Sequence, residues 1–244
     1  MTKHPLFIRS VSLKREDVVS FDEYPFNVPV IRNLDELAFD SQVTFLIGEN
    51  GSGKSTLIEA IAIACGFNPE GGSKSFNFET RAETSPLYQL MHVTRGHKRP
   101  TDGYFLRAES FFNVATEIDQ RGLASYYGGT SLHAMSHGEA FFTLLNDRLL
   151  GGGLYIFDEP EAALSPTRQM AMLTRMHELV GEASQLIIAT HSPILMAYPG
   201  AQILEIVDGR LRRVNYEETE HFQVIRQFFL QRERMLRILL EGEE

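Results

Sequence analysis

Gly48-Glu49-Asn50-Gly51-Ser52-Gly53-Lys54-Ser55 stands between the apolar run Val43 to Ile47 and a helix-forming stretch that ends at Cys65, and it has the spacing of a phosphate-binding loop. Glycines let the backbone turn so tightly that successive N–H groups point inward, and the start of the next helix adds its amides and dipole. Gly48, Asn50, Gly51, Gly53 and Thr56 belong to that cradle. Lys54 brings a cation to the β and γ phosphates, and the Ser55 hydroxyl is a metal ligand. The stretch therefore predicts binding of ATP or GTP with Mg²⁺.

The rest of the chain bounds what surrounds this loop. Its 244 residues can bury roughly 70 to 75% of the unfolded surface without disulfides. Cys65 is the only cysteine, so no intrachain disulfide forms and a reducing compartment is expected. Apolar stretches such as Leu186 to Ala189 fall far short of the roughly 20 residues of a membrane span, and no signal-peptide core opens the chain. The expectation is a soluble, cytoplasmic protein with no transmembrane segment of its own. With 23 basic and 32 acidic residues the net charge is −9, which works against a nucleic-acid surface spread over the whole molecule. Local basic clusters remain on Arg210, Arg212 and Arg213 and on Arg226, Arg232, Arg234 and Arg237.

Residues 6 to 13 alternate apolar and polar side chains, and Phe26 to Phe39 reads as strand-rich, so residues 1 to 42 predict an antiparallel β layer. Val43 to Ile47 does not alternate, as suits a central strand buried on both faces. Thr56 to Cys65 predicts a helix stopped by Gly66. Residues 66 to 102 read as a partly irregular insertion with one short helix from Pro86 to about Thr94. Tyr104 to Ala108 is a further core strand, Phe111 to Leu132 a mobile or helical connector, and Glu139 to Leu150 a helix. Leu154 to Phe157 and Gln185 to Ala189 are apolar strands separated by a helix from Thr167 to Val180, a rhythm that implies a mostly parallel sheet. Gln202 to Val207 and Leu211 to Asn215 flank the turn Asp208-Gly209 as a hairpin, and Thr219 to Leu240 reads as one amphipathic helix of about 20 residues.

Asp158-Glu159 ends an apolar strand at the carboxyl edge of the sheet, where the phosphate loop also lies. Asp158 is expected to hold Mg²⁺ through water, and Glu159 to orient and deprotonate the attacking water. Met135-Ser136-His137-Gly138-Glu139 contains a capping box, and Ser136 lies 22 residues before Asp158.

At that spacing the chain resembles the ABC ATPase superfamily, whose signature motif Leu-Ser-Gly-Gly-Gln sits at about this distance before the acidic strand. Met135 stands for Leu, His137 for the first Gly and Glu139 for Gln. The resemblance implies that Ser136 and Gly138 face the nucleotide of a partner subunit. It makes Ala163-Leu164-Ser165-Pro166 the D-loop and Thr190-His191-Ser192-Pro193 the switch, with His191 at the γ-phosphate. Glu109 stands where the family has its loop glutamine, as a ligand for metal and water or with Gln89 or another residue in its place. Tyr24 or Phe26 is placed to stack on adenine, with a packed β corner as the alternative reading.

The likeness is to the soluble heads of the RecF, SMC and related predicted ATPase groups. Only 80 residues without sustained heptads separate Ser55 from Ser136, which leaves no room for a coiled-coil arm. The implied fold is an α/β P-loop ATPase head: a mostly parallel core sheet, an N-terminal antiparallel β layer and a helical signature lobe. It is expected as a single domain over residues 1–244, with β layer and loop in 1–65, insertion and lobe in 66–150, acidic strand, D-loop and switch in 151–216, and the C-terminal helix in 217–244. The implied activity is hydrolysis of Mg-ATP by a homodimer closed around two ATP molecules. Its expected role is in DNA maintenance or defence with DNA or an effector protein as partner; the alternative is the ATP-driving subunit of a membrane transporter.

Overall fold

The computed structural model describes residues 4–74 and 85–242, so the part of the insertion between them lies outside the described residues. In chain order the elements are β1 (Ile8–Leu13), α1 (Pro29–Arg32), β2 (Glu36–Ala38), β3 (Val43–Gly48), α2 (Lys54–Ala64), β4 (Gly72–Ser73), β5 (Met91–Arg95), β6 (Asp102–Arg107), α3 (Phe111–Gln120) and α4 (His137–Thr143). They continue with β7 (Gly153–Asp158), α5 (Pro166–Gly181), β8 (Gln185–Ala189), α6 (Pro193–Met196), β9 (Gln202–Val207), β10 (Arg210–Val214), α7 (Glu220–Leu230) and α8 (Arg232–Glu241).

The main sheet has the order β10-β9-β3-β8-β7-β6-β4. Its centre, β9 through β6, is parallel, and the edge strands β10 and β4 run antiparallel. The central strands lack apolar alternation because each feeds two cores. Phe45, Tyr155, Phe157 and Ile188 face α3, α4 and α5, whereas Leu46, Ile156 and Ile187 face α2 and the second sheet. Helix α2 buries Leu57, Ile58, Ala60, Ile61 and Ala62 in that second core, which explains its richness in Ala and Ile. Asp208 (φ 49°) and Gly209 (φ 68°) make the turn of the β9–β10 hairpin, where both central residues need positive φ.

Four sequence expectations are corrected. The helix expected from Pro86 to Thr94 is helical only over Pro86–Leu90; Met91–Arg95 is instead the third strand of the antiparallel sheet, ordered β2-β1-β5. Its His and Thr side chains alternate with half-buried Val93, a strand pattern hidden behind the Pro86 start signal. Within Phe26 to Phe39 the backbone forms α1 before the short β2, because Pro29 occupies the first helical position. The helix expected from Glu139 begins at His137 and continues past α4 as a π turn over Leu144–Arg148. The C-terminal helix is two helices, broken at Gln231, whose backbone leaves the helical region at φ −131°.

Two buried glutamines fasten the antiparallel layer to the main sheet. Gln185 accepts from the backbone N–H groups of Phe7 (2.8 Å) and Ile8 (3.0 Å) and donates to the Ile8 carbonyl (3.0 Å). Gln202 accepts from Asp40 N–H (3.2 Å) and the Thr44 hydroxyl (3.1 Å) and donates to the Ala38 carbonyl (2.9 Å). Gln185→Leu should destabilise the fold by on the order of 2–4 kcal/mol, since it strands two buried donors. Urea unfolding reads this as a lower midpoint at unchanged slope; an unaltered midpoint would show that the layer is held by other contacts.

Candidate active site

The loop between β3 and α2 places its glycines by need. Gly53 has φ +94°, and a Cβ there would fall 2.6 Å from Val28 and 2.7 Å from Val30. Lys54, 4% exposed, donates through Nζ to the carbonyls of Gly48 (2.8 Å) and Glu49 (2.9 Å). Burial lowers its affinity for a proton, and the carboxylates of Glu159, Asp158 and Glu161 restore part of it. Ser55 donates its hydroxyl proton to Asp158 Oδ1 at 3.2 Å, joining the loop to the end of β7.

Asp158 is the most constrained charge in this cluster. Burial pushes its carboxyl up to about 7, against the pull of Arg107. Arg107 ends β6 in register with Asp158 and stands 3.9 Å from its Oδ2, 2.9 Å from Glu59 and 3.5 Å from Glu109. Glu109 is 88% exposed and faces this guanidinium rather than Ser55. Gln89 lies outside the cluster, exposed and bonded to Tyr88. Tyr24 is 65% exposed, and Phe26 packs with Phe21 and Val28 on the core beneath the antiparallel layer.

Glu159 follows β7 in the left-handed region, φ 51°, an unfavourable conformation for a residue with a Cβ. Its N–H still pairs with the Ala189 carbonyl (3.0 Å), so the turn comes immediately after the last sheet contact. The carboxylate Oε1 lies 3.7 Å from His191 Nε2. His191 is fixed by Glu161, which accepts its backbone N–H at 2.6 Å, and by His221 of α7, whose Nε2 is 3.2 Å from His191 Nδ1. Burial lowers both histidines below their ordinary value and raises Glu161.

Ser136 and Gly138 sit elsewhere. Ser136 caps α4 and is exposed; its backbone N–H donates to Glu139 at 2.9 Å, and its hydroxyl turns to the same carboxylate. A Cβ on Gly138 would meet Arg168 at 2.7 Å and the Ala163 carbonyl at 3.1 Å, so this glycine allows α4 to lie against the expected D-loop. His137 sets its ring edge-on to Phe112, 4.3 Å between centroids. Ser165 caps α5 by accepting the Arg168 N–H (3.4 Å), with Pro166 at the first helical position.

Lys54, Ser55, Asp158, Glu159 and His191 thus share one cluster, and the signature residues do not join it. Sequence reading missed Arg107, Glu161 and His221. Arg107 carried a signal, a charge ending an apolar strand two residues before Glu109, and Glu161 followed Asp158-Glu159-Pro160 directly. His221 carried none, since its partner lies 30 residues away in sequence.

Residues 18–115 match a family model described as "AAA domain", and residues 130–197 match one described as "AAA domain, putative AbiEii toxin, Type IV TA system". The two matches support a likeness to the ABC/AAA ATPase superfamily. Relatives of this ATP-binding head include the pyoverdine export ATP-binding/permease protein PvdT of Pseudomonas syringae pv. tomato, 27% identical over 205 residues, 75% of this chain and 30% of that protein. The macrolide export ATP-binding/permease protein MacB of Hahella chejuensis is 24% identical over 209 residues, 75% of this chain and 31% of that protein. The chain therefore spans about a third of the length of these relatives. Similar solved structures include the SMC head domain from Thermotoga maritima (17% identity, 86% of this chain, 98% of that chain, TM-score 0.44). Another is cbiO1 from Clostridium perfringens, part of the ABC transporter complex cbiONQ (18% identity, 83% and 89%, TM-score 0.49). No helix among the described residues of this ABC-type head is long and apolar enough to cross a membrane.

The raised carboxyl of Asp158 gives this ATPase head a signed pH response. Folding retains a proton that the unfolded chain gives up near pH 4, so the stability from this group is full below that point and is lost as pH rises to about 7. In EDTA without nucleotide, Asp158→Asn should therefore gain on wild type as pH goes from 5 to 8, by up to about 3 kcal/mol. Urea midpoints at the two pH values check this; a difference that does not change with pH would overturn it.

Proposed function

We propose that this chain hydrolyses Mg-ATP as a homodimer that closes around two nucleotides and opens after hydrolysis. The observation that carries the reading is the placement of Glu159 and His191, 3.7 Å apart beside the phosphate loop, together with a signature serine that stays outside the cluster on the exposed start of α4. The loop amides and Lys54 bind the phosphates. Glu159 accepts a proton from water as the water oxygen bonds to the γ-phosphorus and the bond to the bridging oxygen breaks, giving ADP and phosphate. Ser55 and Asp158 offer the hard oxygen donors that would hold Mg²⁺, which would neutralise charge on the phosphates. His191 donates to the γ-phosphate, and Ser136 of a second copy closes the site. The pairing supplies position and charge rather than covalent catalysis.

For the biological role we favour defence or DNA maintenance, supported by the family description matched over residues 130–197 and by the departures at Met135, His137 and Glu139. A protein effector suits the surface better than DNA: Arg212 is paired with Glu205 at 3.0 Å and Arg213 with Asp40, which leaves less free positive charge on the hairpin. The names of the export relatives favour a second reading, the ATP-driving subunit of a transporter, and stable copurification with a membrane protein would select it.

Glu159→Gln should retain ATP binding, hydrolyse at least about 10²-fold more slowly and elute as a dimer with ATP on a sizing column. Near-normal steady-state hydrolysis would remove Glu159 from the role of base.

The shared site has its own test. Ser136→Arg should bind ATP but not hydrolyse it, and Lys54→Ala should lose most ATP binding. Mixed, the two should recover up to about half the wild-type activity per dimer, since one composite site then has both an intact loop and an intact signature serine. Full activity of Ser136→Arg alone would exclude a site built from two chains.

A further inference from the structure

We propose that His221 is the positioning residue of the switch histidine: it donates its Nε2 proton to His191 Nδ1 and so holds the His191 proton on Nε2, facing the γ-phosphate. This rests on the hydrolytic reading above.

The nitrogen pair lies 3.2 Å apart, so one ring donates and the other accepts. A γ-phosphate oxygen can only accept, and a His191 ring that serves it must carry its proton on Nε2. In a neutral ring the Nδ1 is then bare, and His221 has to be the donor. Burial favours the neutral form of both rings, and the Lys54 ammonium acts in the same direction. The reverse assignment would turn a bare Nε2 lone pair toward the Glu159 carboxylate and the phosphate. Two ring nitrogens are left without a partner, His191 Nε2 and His221 Nδ1; in this assignment His221 Nδ1 keeps only a bare lone pair and His191 Nε2 carries the proton. His191 Nε2 has no hydrogen-bond partner, its 3.7 Å to Glu159 being beyond hydrogen-bond length, so its proton is available to a third group.

The start of α7 is built to keep His221 there. Thr219, 0% exposed, caps the helix by accepting the Phe222 N–H (3.3 Å) and donates to the Tyr216 carbonyl (2.7 Å). The Tyr216 hydroxyl donates to the carbonyl of Pro193 (2.9 Å), two residues beyond His191, and its ring packs on Phe222 at 4.7 Å. Both histidines therefore hang from one bonded unit, while no residue of α7 or α8 is fully buried.

The test uses the full chain with ¹⁵N-labelled histidine. Imidazole nitrogen shifts of the wild-type protein should show His191 as the Nε2–H tautomer, and in His221→Phe that ring should become a mixture of tautomers. Steady-state hydrolysis by His221→Phe should lose about 10-fold or more in kcat at unchanged KM for ATP. His221→Gln, whose side-chain amide can donate from nearly the same place, should recover most of the loss. A wild-type His191 protonated on Nδ1 would overturn the proposal whatever the variants do, and so would wild-type kcat in His221→Phe or equal losses in the Phe and Gln variants. If the wild-type protein does not hydrolyse ATP at all, the hydrolytic reading fails by itself, and the tautomer measurement still decides which ring donates.

Discussion

Asp158 carries its carboxyl group on the last residue of β7, where β6 and β8 on either side leave it almost no water, so it must either keep its proton or be met by polar and charged partners. Ser55 and Arg107 meet it from the phosphate loop and from the neighbouring strand. Arg107 is then committed to Glu59 and Glu109 as well, so α2, β6 and the chain after β6 are tied to the same point. One desolvated acid thus fixes how three elements converge, at the edge of the sheet where the glycine-rich loop lies. The parallel order β3-β8-β7 makes this convergence unavoidable, because the carboxyl ends of all three strands leave the sheet on one side.

What could be read from the sequence was whatever a local motif dictates. The phosphate loop, the acidic strand end, the Asp208-Gly209 turn and the caps at Ser136 and Ser165 are each set by residues within a few positions of one another. The apolar runs of β3, β7 and β8 were equally legible, since two-sided burial removes alternation. Elements whose state depends on distant partners were not. Met91–Arg95 is a strand because β1 offers it an edge, and Pro86 pointed the other way. The break at Gln231 has neither glycine nor proline to announce it. Arg107 and His221 acquire their meaning only when β6 lies beside β7 and α7 returns to the switch.

The signature region is organised by contacts of its own. Glu139 occupies the amide and hydroxyl of Ser136, and Gly138 admits Arg168 and the Ala163 carbonyl, so the start of α4 and the expected D-loop form one packed unit. His137, which departs from the usual glycine, spends its ring on Phe112. The ring that replaces this glycine thus joins α3 to the start of α4.

Gln185 and Gln202 are the first residues of β8 and β9, at the opposite end of the sheet from Gly48, Asp158 and Glu159. The sheet is therefore polarised: one pole is a mechanical anchor made of neutral amides, the other a reactive pole made of charges in tension. Substitutions at the anchor act on how the antiparallel layer is held, and those at the charged pole act on the cluster of Lys54, Ser55, Asp158 and Glu159, with a layer of fully buried aliphatic and aromatic side chains between the two. The anchor, built of groups that do not titrate, consequently holds the scaffold alike at any pH, whereas the charged pole is where acidity and salt act on it.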